Sequence, residues 1–285
     1  MNRLLVVFGL LIAVAAPGIA WQWPTKTVSV SVAFGQSSGG AYSQGVELTG
    51  GVQPVYPVAN GTVIYVRGPR EDSPRQLGTT VVVEHDRGFL SLYGHLEEGT
   101  TPAAGTVVTE STQIGVVGQT GAAGGPTLFF SILDTESGAY VNPLLLLPVV
   151  EDVVAPTVIS VLAQSETSLH NLGVGSKLPT GEYRLLVESE DRWTDAGDLV
   201  TPYSVVVLVD GREQMVITHD RIVFTDGFPR VQPGPPVPHD GLHSGERGYL
   251  TDQITVPIGR TLIEVIVSDF SGNSASVMIE VIGTP

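Results

Sequence analysis

Two stretches in the first half of the chain carry side chains capable of chemistry. Residues 42–48 contain Ser43 and Glu47, and residues 91–131 contain His95. A carboxylate and an imidazole can bind divalent metals or move protons, whereas a serine hydroxyl is a poor metal ligand near neutral pH because it must first lose its proton. Cysteine is absent from the 285 residues, which excludes thiol nucleophiles and cysteine-bound zinc.

The elements that must position these residues are short β-strands. Val28, Val30, Val32 and Phe34 alternate with small or polar residues, the pattern of a strand buried on one face. Asn60-Gly61 between two apolar runs predicts a tight turn, and strand patterns recur about every eight to twelve residues as far as residue 133. We therefore expect a compact antiparallel sheet or barrel-like domain over residues 25–148.

The second half of the chain restarts the strand pattern after a linker over residues 144–156. The pattern predicts an immunoglobulin-like β-sandwich over residues 156–285, without the Cys and Trp landmarks of antibody domains, so that the whole protein is all-β. The strands are expected at residues 157–163, 181–189, 202–209, 213–224, 260–268 and 274–282. A Pro-rich and His-containing segment at 228–248 is expected to be a long surface loop.

The N-terminus and the overall charge bear on location and partners. Residues 1–20 combine a basic residue, a short apolar run and small residues before position 21, which predicts a signal peptide removed on export. With no disulfides, export suits a bacterial periplasm or cell envelope, and no stable membrane anchor is expected after cleavage.

The formal net charge of −15 argues against nucleic acid as a partner.

Residues 34–148 resemble the lysostaphin-type, or LytM-like, zinc endopeptidases that cut the peptide bridges of bacterial peptidoglycan. The resemblance rests on several motifs in the family's order, at residues 44–48, 58–63, 81–85, 92–96, 114–121 and 125–130. It implies a groove lined by three zinc ligands, a water molecule and two catalytic histidines.

Carried over by position, most of that metal chemistry is missing. The three ligand positions fall on Ser43, Glu47 and Phe129. One catalytic histidine is retained as His95, and the position of the other is Thr127. A phenyl ring cannot bind zinc, and one carboxylate with one histidine should not hold the ion. We therefore expect a pseudoenzyme with no cofactor.

The resemblance leaves two functions open. In the first, Glu47, Tyr93, His95, Ser43 and Phe129 line a residual groove that binds peptidoglycan or regulates a cell-wall hydrolase, since degenerate members of the family activate cell-wall amidases. In that case His95 either contributes to recognition or is a remnant held by a local hydrogen bond. In the second, the protein is an active zinc endopeptidase with atypical ligands, which requires a further nitrogen donor near the groove.

Other polar residues receive structural interpretations. His85, the candidate for that further donor, is expected to be structural. His239 and His243 have the spacing that places two imidazoles on one face of a helix, but the neighbouring Pro238 and Gly241 predict a loop, which argues against an accessory metal site. The acidic residues Asp191, Asp195 and Asp198 are expected to be solvated turn residues rather than calcium ligands.

Overall fold

The computed structural model describes residues 21–68, 75–194, 197–245 and 247–285. The predicted signal peptide and Asp195 lie outside these residues. Across the described parts of the chain, no helix has the length and apolar character needed to span a bilayer. Nearly all regular structure is β, which confirms the predicted all-β class.

Twelve strands and three 3₁₀ turns make up the first half. The strands are β1 (Ser29–Val32), β2 (Ser37–Ser38), β3 (Ala41–Tyr42), β4 (Val46–Thr49), β5 (Pro54–Val55), β6 (Gly61–Arg67), β7 (Thr79–Glu84), β8 (Phe89–Leu96), β9 (Val107–Val108), β10 (Gly115–Val116), β11 (Thr127–Asp134) and β12 (Ala139–Val141). The 3₁₀ turns are Arg75–Leu77, Asp86–Gly88 and Pro143–Leu145.

The second half adds twelve strands and one short helix. They are β13 (Thr157–Gln164), β14 (Leu169–Asn171), β15 (Ser176–Pro179), β16 (Gly181–Glu190), β17 (Ser204–Val209), β18 (Arg212–Thr218), β19 (Arg221–Thr225), β20 (Phe228–Gln232), α1 (His239–Leu242), β21 (His243–Ser244), β22 (Gly248–Val256), β23 (Gly259–Ser268) and β24 (Ser274–Thr284).

A ten-stranded sheet forms the centre of the first half. Its main order is β20-β19-β12-β11-β8-β7-β6-β9, and β4 pairs with both β11 and β1. Successive side chains of β11 point to opposite faces, so Leu128, Phe130 and Ile132 are all fully buried on one face. Thr127 and Phe129 therefore belong to the other face, where the motif residues lie.

The second half contains two five-stranded sheets, with orders β14-β13-β16-β22-β21 and β15-β24-β23-β17-β18. Strand β13 of the first sheet contacts β23 and β24 of the second, so the apolar side chains between the sheets form a common core. Strand β15 pairs with β24 in parallel, and all other pairs in these sheets are antiparallel. The immunoglobulin-like topology stays a prediction, as do the exact domain limits.

The segment predicted as a surface loop is largely ordered structure that joins the two halves. Residues 213–224 are not one strand, because the chain leaves β18 at His219 and enters β19, which pairs with β12 of the first sheet. Strand β20 then pairs with β19. The Asn142 side chain donates to the His219 carbonyl at 2.7 Å, and the Asn142 main-chain N–H donates to the Asp220 carbonyl at 2.8 Å. The second half thus supplies two strands to the sheet of the first.

Candidate functional site

Three neighbouring strands bring the motif residues into one row. Phe129 on β11 lies directly opposite Glu47 on β4 and, on its other side, opposite Gly94 on β8. Directly opposed residues of antiparallel strands share a face, so the Phe129 ring and the Glu47 carboxylate stand side by side. Both are half-buried. A side chain at Gly94 would press on the main chain of Leu77 and on Phe129, so glycine there keeps the row open.

The two hydroxyl residues of the site are bound to the main chain. Ser43 Oγ donates to the carbonyl of Gly45 at 2.8 Å. Thr127, which is buried, donates from Oγ1 to the carbonyl of Leu48 at 3.2 Å. Each hydroxyl proton therefore satisfies a local carbonyl.

His95 is held in an unusual backbone conformation beside Phe129. Its φ of 63° lies in the left-handed region, which few residues other than glycine adopt. Nδ1–H donates to the carbonyl of Thr120 at 2.8 Å, and the Thr120 hydroxyl donates to the carbonyl of Leu96 at 2.8 Å. The imidazole meets the Phe129 ring nearly edge-on, with centroids 6.4 Å apart. In the neutral ring Nε2 carries the lone pair, and no hydrogen-bond partner among the described residues reaches it.

Tyr93 does not line the groove, contrary to the sequence prediction. It is fully buried and packs against Phe130, with ring centroids 5.4 Å apart, on the opposite face of the sheet from Phe129. The reason is the two-residue period of β8, because Tyr93 is opposite Phe130 while Gly94 is opposite Phe129. The alternation of β8 was the signal that could have placed it correctly.

A buried hydrogen-bonded series explains both Tyr93 and His85. The imidazole of His85 donates from Nδ1 to the carbonyl of Asn60 at 2.9 Å, and its Nε2 lies 2.6 Å from Ser91 Oγ. Burial lowers the pKa of His85. Ser91 Oγ donates to the Tyr93 hydroxyl at 2.8 Å, and that hydroxyl also accepts from the Val58 N–H at 2.9 Å. Both nitrogens of His85 are thereby engaged in the core.

The donor set around Glu47 and His95 does not fit a catalytic zinc ion. Such an ion needs three protein ligands and an open position. Among the described residues, no group of three His, Cys, Asp or Glu side chains with ligand atoms within 4.8 Å of one another includes Glu47 or His95. The third ligand position holds the Phe129 ring, which offers no lone pair. His95 also has its Nδ1 committed to the Thr120 carbonyl.

His239 and His243 lie at the two ends of a short helix and not in the predicted loop. Helix α1 begins at His239, and His243 follows its last residue. The two imidazoles stack with centroids 4.8 Å apart and an interplanar angle of 19°. Ring-nitrogen lone pairs lie in the ring planes, so nearly parallel rings do not direct them at one point. The helical spacing is present, but the orientation does not suit a shared metal ion.

Asp191 is not a solvated turn residue, which corrects the sequence prediction for this position. Only 5% of Asp191 is exposed, and its carboxylate lies with those of Asp152 and Asp269, all within 4.8 Å of one another. Spacing in the sequence does not reveal these two partners, because they come from the linker and from the turn after β23. Burial, reinforced by Asp269 and Asp152 and opposed by the Arg192 N–H, raises the pKa of Asp191 to about 7. Asp198 is exposed, as expected.

Replacing Asp191 by asparagine is expected to stabilise the protein at pH 8. Because the pKa of Asp191 is raised in the folded state, its protonation contributes stability that is fully present below the ordinary carboxyl pKa of about 4. This contribution is lost as the pH rises through about 7. Asparagine removes that loss and keeps an oxygen for the Arg192 N–H. Thermal unfolding with a chelator present should show a Tm about 2–4 °C higher for Asp191→Asn at pH 8, and a smaller difference at pH 5. A lower Tm at pH 8 would contradict the assigned protonation.

Comparison with known proteins places the row of motif residues in a family. Residues 41–143 match the model of peptidase family M23, and a second family model covers residues 155–282. The first half of the protein is a LytM-like M23 domain. The resemblance inferred from the motifs is therefore confirmed, and Ser43, Glu47, His95, Thr127 and Phe129 all lie within the matched residues.

Individual relatives match part of this chain. The lipoprotein NlpD/LppB homolog of Pseudomonas aeruginosa is 31% identical over 143 residues, which are 47% of this chain and 42% of that protein. Murein hydrolase activator EnvC of Escherichia coli K12 is 36% identical over 89 residues, 31% of this chain and 19% of that protein. A zinc-containing peptidase from Vibrio cholerae is 25% identical with a TM-score of 0.35, over 40% of this chain and 36% of that one. The chain thus spans less than half the length of these relatives.

Proposed function

We propose that the M23 domain is a non-catalytic binding domain that regulates a cell-wall hydrolase, or binds peptidoglycan itself, in the bacterial envelope. The observation that carries the proposal is the row of Glu47, Phe129 and Gly94, in which an aromatic ring occupies the position of a zinc ligand. The strands and glycines that build the groove in the family are present in this chain. In place of a metal site, the groove contains a half-buried carboxylate beside a phenyl ring.

The relatives support the regulatory side of the proposal. One of them, 36% identical over the matched region, is a murein hydrolase activator, and another is a lipoprotein. A cell-envelope location for this chain is consistent with both relatives and with the predicted signal peptide. A groove with an exposed aromatic surface and a carboxylate suits a peptide ligand that presents an apolar group and a cation, either on a peptidoglycan stem peptide or on a hydrolase.

The test combines metal analysis, hydrolysis and binding with the full mature chain. After purification and incubation with zinc, we expect much less than one equivalent of bound metal and no peptides released from purified cell walls. We expect the protein to co-sediment with those cell walls or to bind and stimulate a purified cell-wall amidase. Stoichiometric zinc together with chelator-sensitive release of peptides would overturn the proposal in favour of an active endopeptidase with atypical ligands.

Phe129→Ala is expected to weaken the binding that the wild type shows by about tenfold or more, as expected for loss of a central aromatic contact. Phe228→Ala is the matched control, because it removes the same side chain from an exposed position on β20, far along the sheet order from β4 and β8. The control should bind as the wild type does. Equal losses in the two variants would show that the groove is not the binding site.

A further inference from the structure

A small hairpin at the edge of the groove depends on the second domain for its position. Residues 35–43, here called the rim hairpin, contain β2 and β3, which pair only with each other within the described structure. The hairpin ends at Ser43, whose main chain exchanges hydrogen bonds of 2.9 Å with Gly35 and Gln36. It therefore leads directly into β4 and Glu47, but no strand of the large sheet holds it.

Three histidines of the second domain contact the rim hairpin. His239 Nε2 lies 2.8 Å from Ser37 Oγ, and the Tyr42 ring meets the imidazoles of His239 and His243 at 4.7 and 5.2 Å between centroids. The third, His219, packs so closely on Gly35 that a Cβ there would lie 2.3 Å from its ring. Tyr249 completes the cluster, 4.8 Å from the His243 ring and 6.1 Å from the His219 ring. We call these four rings together with Tyr42 the imidazole cluster.

The imidazole cluster contains several polar atoms without partners. Among the described residues, neither ring nitrogen of His243 has a hydrogen bond, and the same holds for His219 Nε2 and the Tyr42 hydroxyl. Such groups are rare in folded proteins because each one costs its desolvation energy. His243 is 7% exposed and His219 is 1% exposed, so bulk solvent scarcely reaches these rings. Even with neutral rings, the contact between the rim hairpin and the second domain therefore leaves several hydrogen-bonding groups unsatisfied.

The surroundings of the imidazole cluster offer little to stabilise a positive charge. Facing His243 are the rings of His239, His219, Tyr42 and Tyr249. From β16 the Arg184 guanidinium donates to the carbonyls of Gly241 and Thr251, which places a cation against α1. Asp240 lies on α1 beside His239, and the Asp220 carboxylate next to His219 accepts the Tyr203 hydroxyl. Of these two carboxylates, Asp240 is the one that favours a protonated imidazole, and it acts on His239 alone.

We propose that the imidazole cluster is a pH-sensitive clamp, through which the second domain holds the rim hairpin in place at neutral pH and releases it in acid. A protonated imidazole at His243 would be buried among rings and beside other imidazoles, so the charged form favours a state in which α1 has moved away. Once α1 and His243 move away, Ser37 loses its contact with His239 and Tyr42 loses its contacts with both imidazoles, while the 3.2 Å hydrogen bond from Ser37 Oγ to the Gly245 carbonyl lies outside α1. The clamp stands on this geometry alone, while its consequence for ligand binding rests on the proposed function.

The titration of the cluster gives the direction and size of the effect. Burial lowers the pKa of His243 to about 3, helped by His239 and His219; the Gly248 main chain, which lies nearby but outside hydrogen-bond geometry, opposes the shift. Burial likewise lowers the pKa of His219 to about 4 and lowers that of His239. Because these pKa values lie below the ordinary 6.5, the released state binds more protons. His243 or His219, on regaining its ordinary pKa in the released state, raises the opening constant about 30-fold between pH 8 and pH 5.

Hydrogen exchange of the full mature chain tests the clamp. After correction for the intrinsic pH dependence of exchange, the amides of residues 35–43 should open at least about tenfold more at pH 5 than at pH 7.5. His243→Phe keeps an aromatic ring but cannot be protonated, so it should reduce this difference. His170→Phe is the matched control, because His170 lies on β14 and bonds to Ser168 at 2.9 Å, outside the cluster. It should leave the difference unchanged.

Two results would overturn the clamp. One is equal protection of the rim hairpin at both pH values in the wild type, and the other is a histidine NMR titration in which every imidazole of the folded protein has an ordinary pKa. The second measurement needs no variant, so it decides the matter even where His243→Phe fails to fold. If the hairpin opens in acid but no cell wall or amidase binds at any pH, the proposed function fails and the clamp stands.

Discussion

Replacing Phe130 by alanine is expected to cost about 3–5 kcal/mol of folding free energy, the usual range for a buried phenylalanine. Phe130 is fully buried, packs on Tyr93 and belongs to the same face of β11 as Leu128 and Ile132. Domains of this size are typically stable by only about 5–15 kcal/mol, so the variant should lose a large part of its stability. Urea unfolding followed by circular dichroism measures the change.

The adjacent Phe129→Ala variant is the matched control, because it removes the same side chain from the other face of the same strand. Phe129 is half-buried beside Glu47 and His95, so its loss should cost about 1 kcal/mol or less while it impairs binding. The two neighbours should therefore separate stability from function. A large loss of stability in Phe129→Ala with little loss in Phe130→Ala would show that the assignment of faces in β11 is reversed.

Much of the M23 domain could be predicted from the sequence because its signals are local. Asn60-Gly61 marks a turn at the start of β6, and the strand patterns that recur about every eight to twelve residues predict the antiparallel sheet of this part of the chain. These strands are consecutive or nearly so in the sheet, so short-range patterns suffice to order them. The two-residue period of a strand also assigns Phe129 and Phe130 to opposite faces of β11.

The connection between the domains could not be predicted, because it depends on which distant strand edges meet. Strand β19 pairs with β12, about eighty residues earlier in the chain, and nothing in the sequence near Ile222 identifies that partner. The prolines at 233, 235, 236 and 238 indicate a loop, so the sequence pattern does not predict α1 and β21. The imidazole cluster shares this cause, since His239 and His243 meet Tyr42 only after β19 and β20 have crossed to the first sheet.

Only part of the candidate site could be predicted from the sequence. The family motifs identify Ser43, Glu47, Thr127 and Phe129, and the register of β4 with β11 brings Glu47 beside Phe129. Tyr93 was misplaced because it is close to His95 in the motif, although strand alternation sends it into the core. Closeness in sequence decides which strand a residue belongs to. Whether the residue is at an odd or an even position along that strand decides which face of the sheet it occupies.

Replacing Ile222 by alanine is expected to destabilise both domains together. Ile222 is fully buried on β19, where it lies opposite Tyr140 of the M23 domain and Val231 of β20. Removing most of a buried isoleucine costs about 2–5 kcal/mol, which for a protein of this size corresponds to a Tm lower by roughly 5–15 °C. Because β19 belongs to the second domain in sequence and to the first sheet in space, we expect one shared transition and not two.

Hydrogen exchange can distinguish this coupling from independent domains. In Ile222→Ala, amides of β8 in the M23 domain and of β23 in the second domain should lose protection from exchange to a similar extent. The reason is that an opening that exposes β19 breaks its pairing in the large sheet and also breaks the Asn142 hydrogen bonds to the second domain. Val223→Ala, one residue along and on the opposite face, should leave both regions near wild-type protection. Loss of protection in β23 with β8 unchanged would mean that the M23 sheet is complete at β12, and that the two strands donated by the second domain add little to its stability.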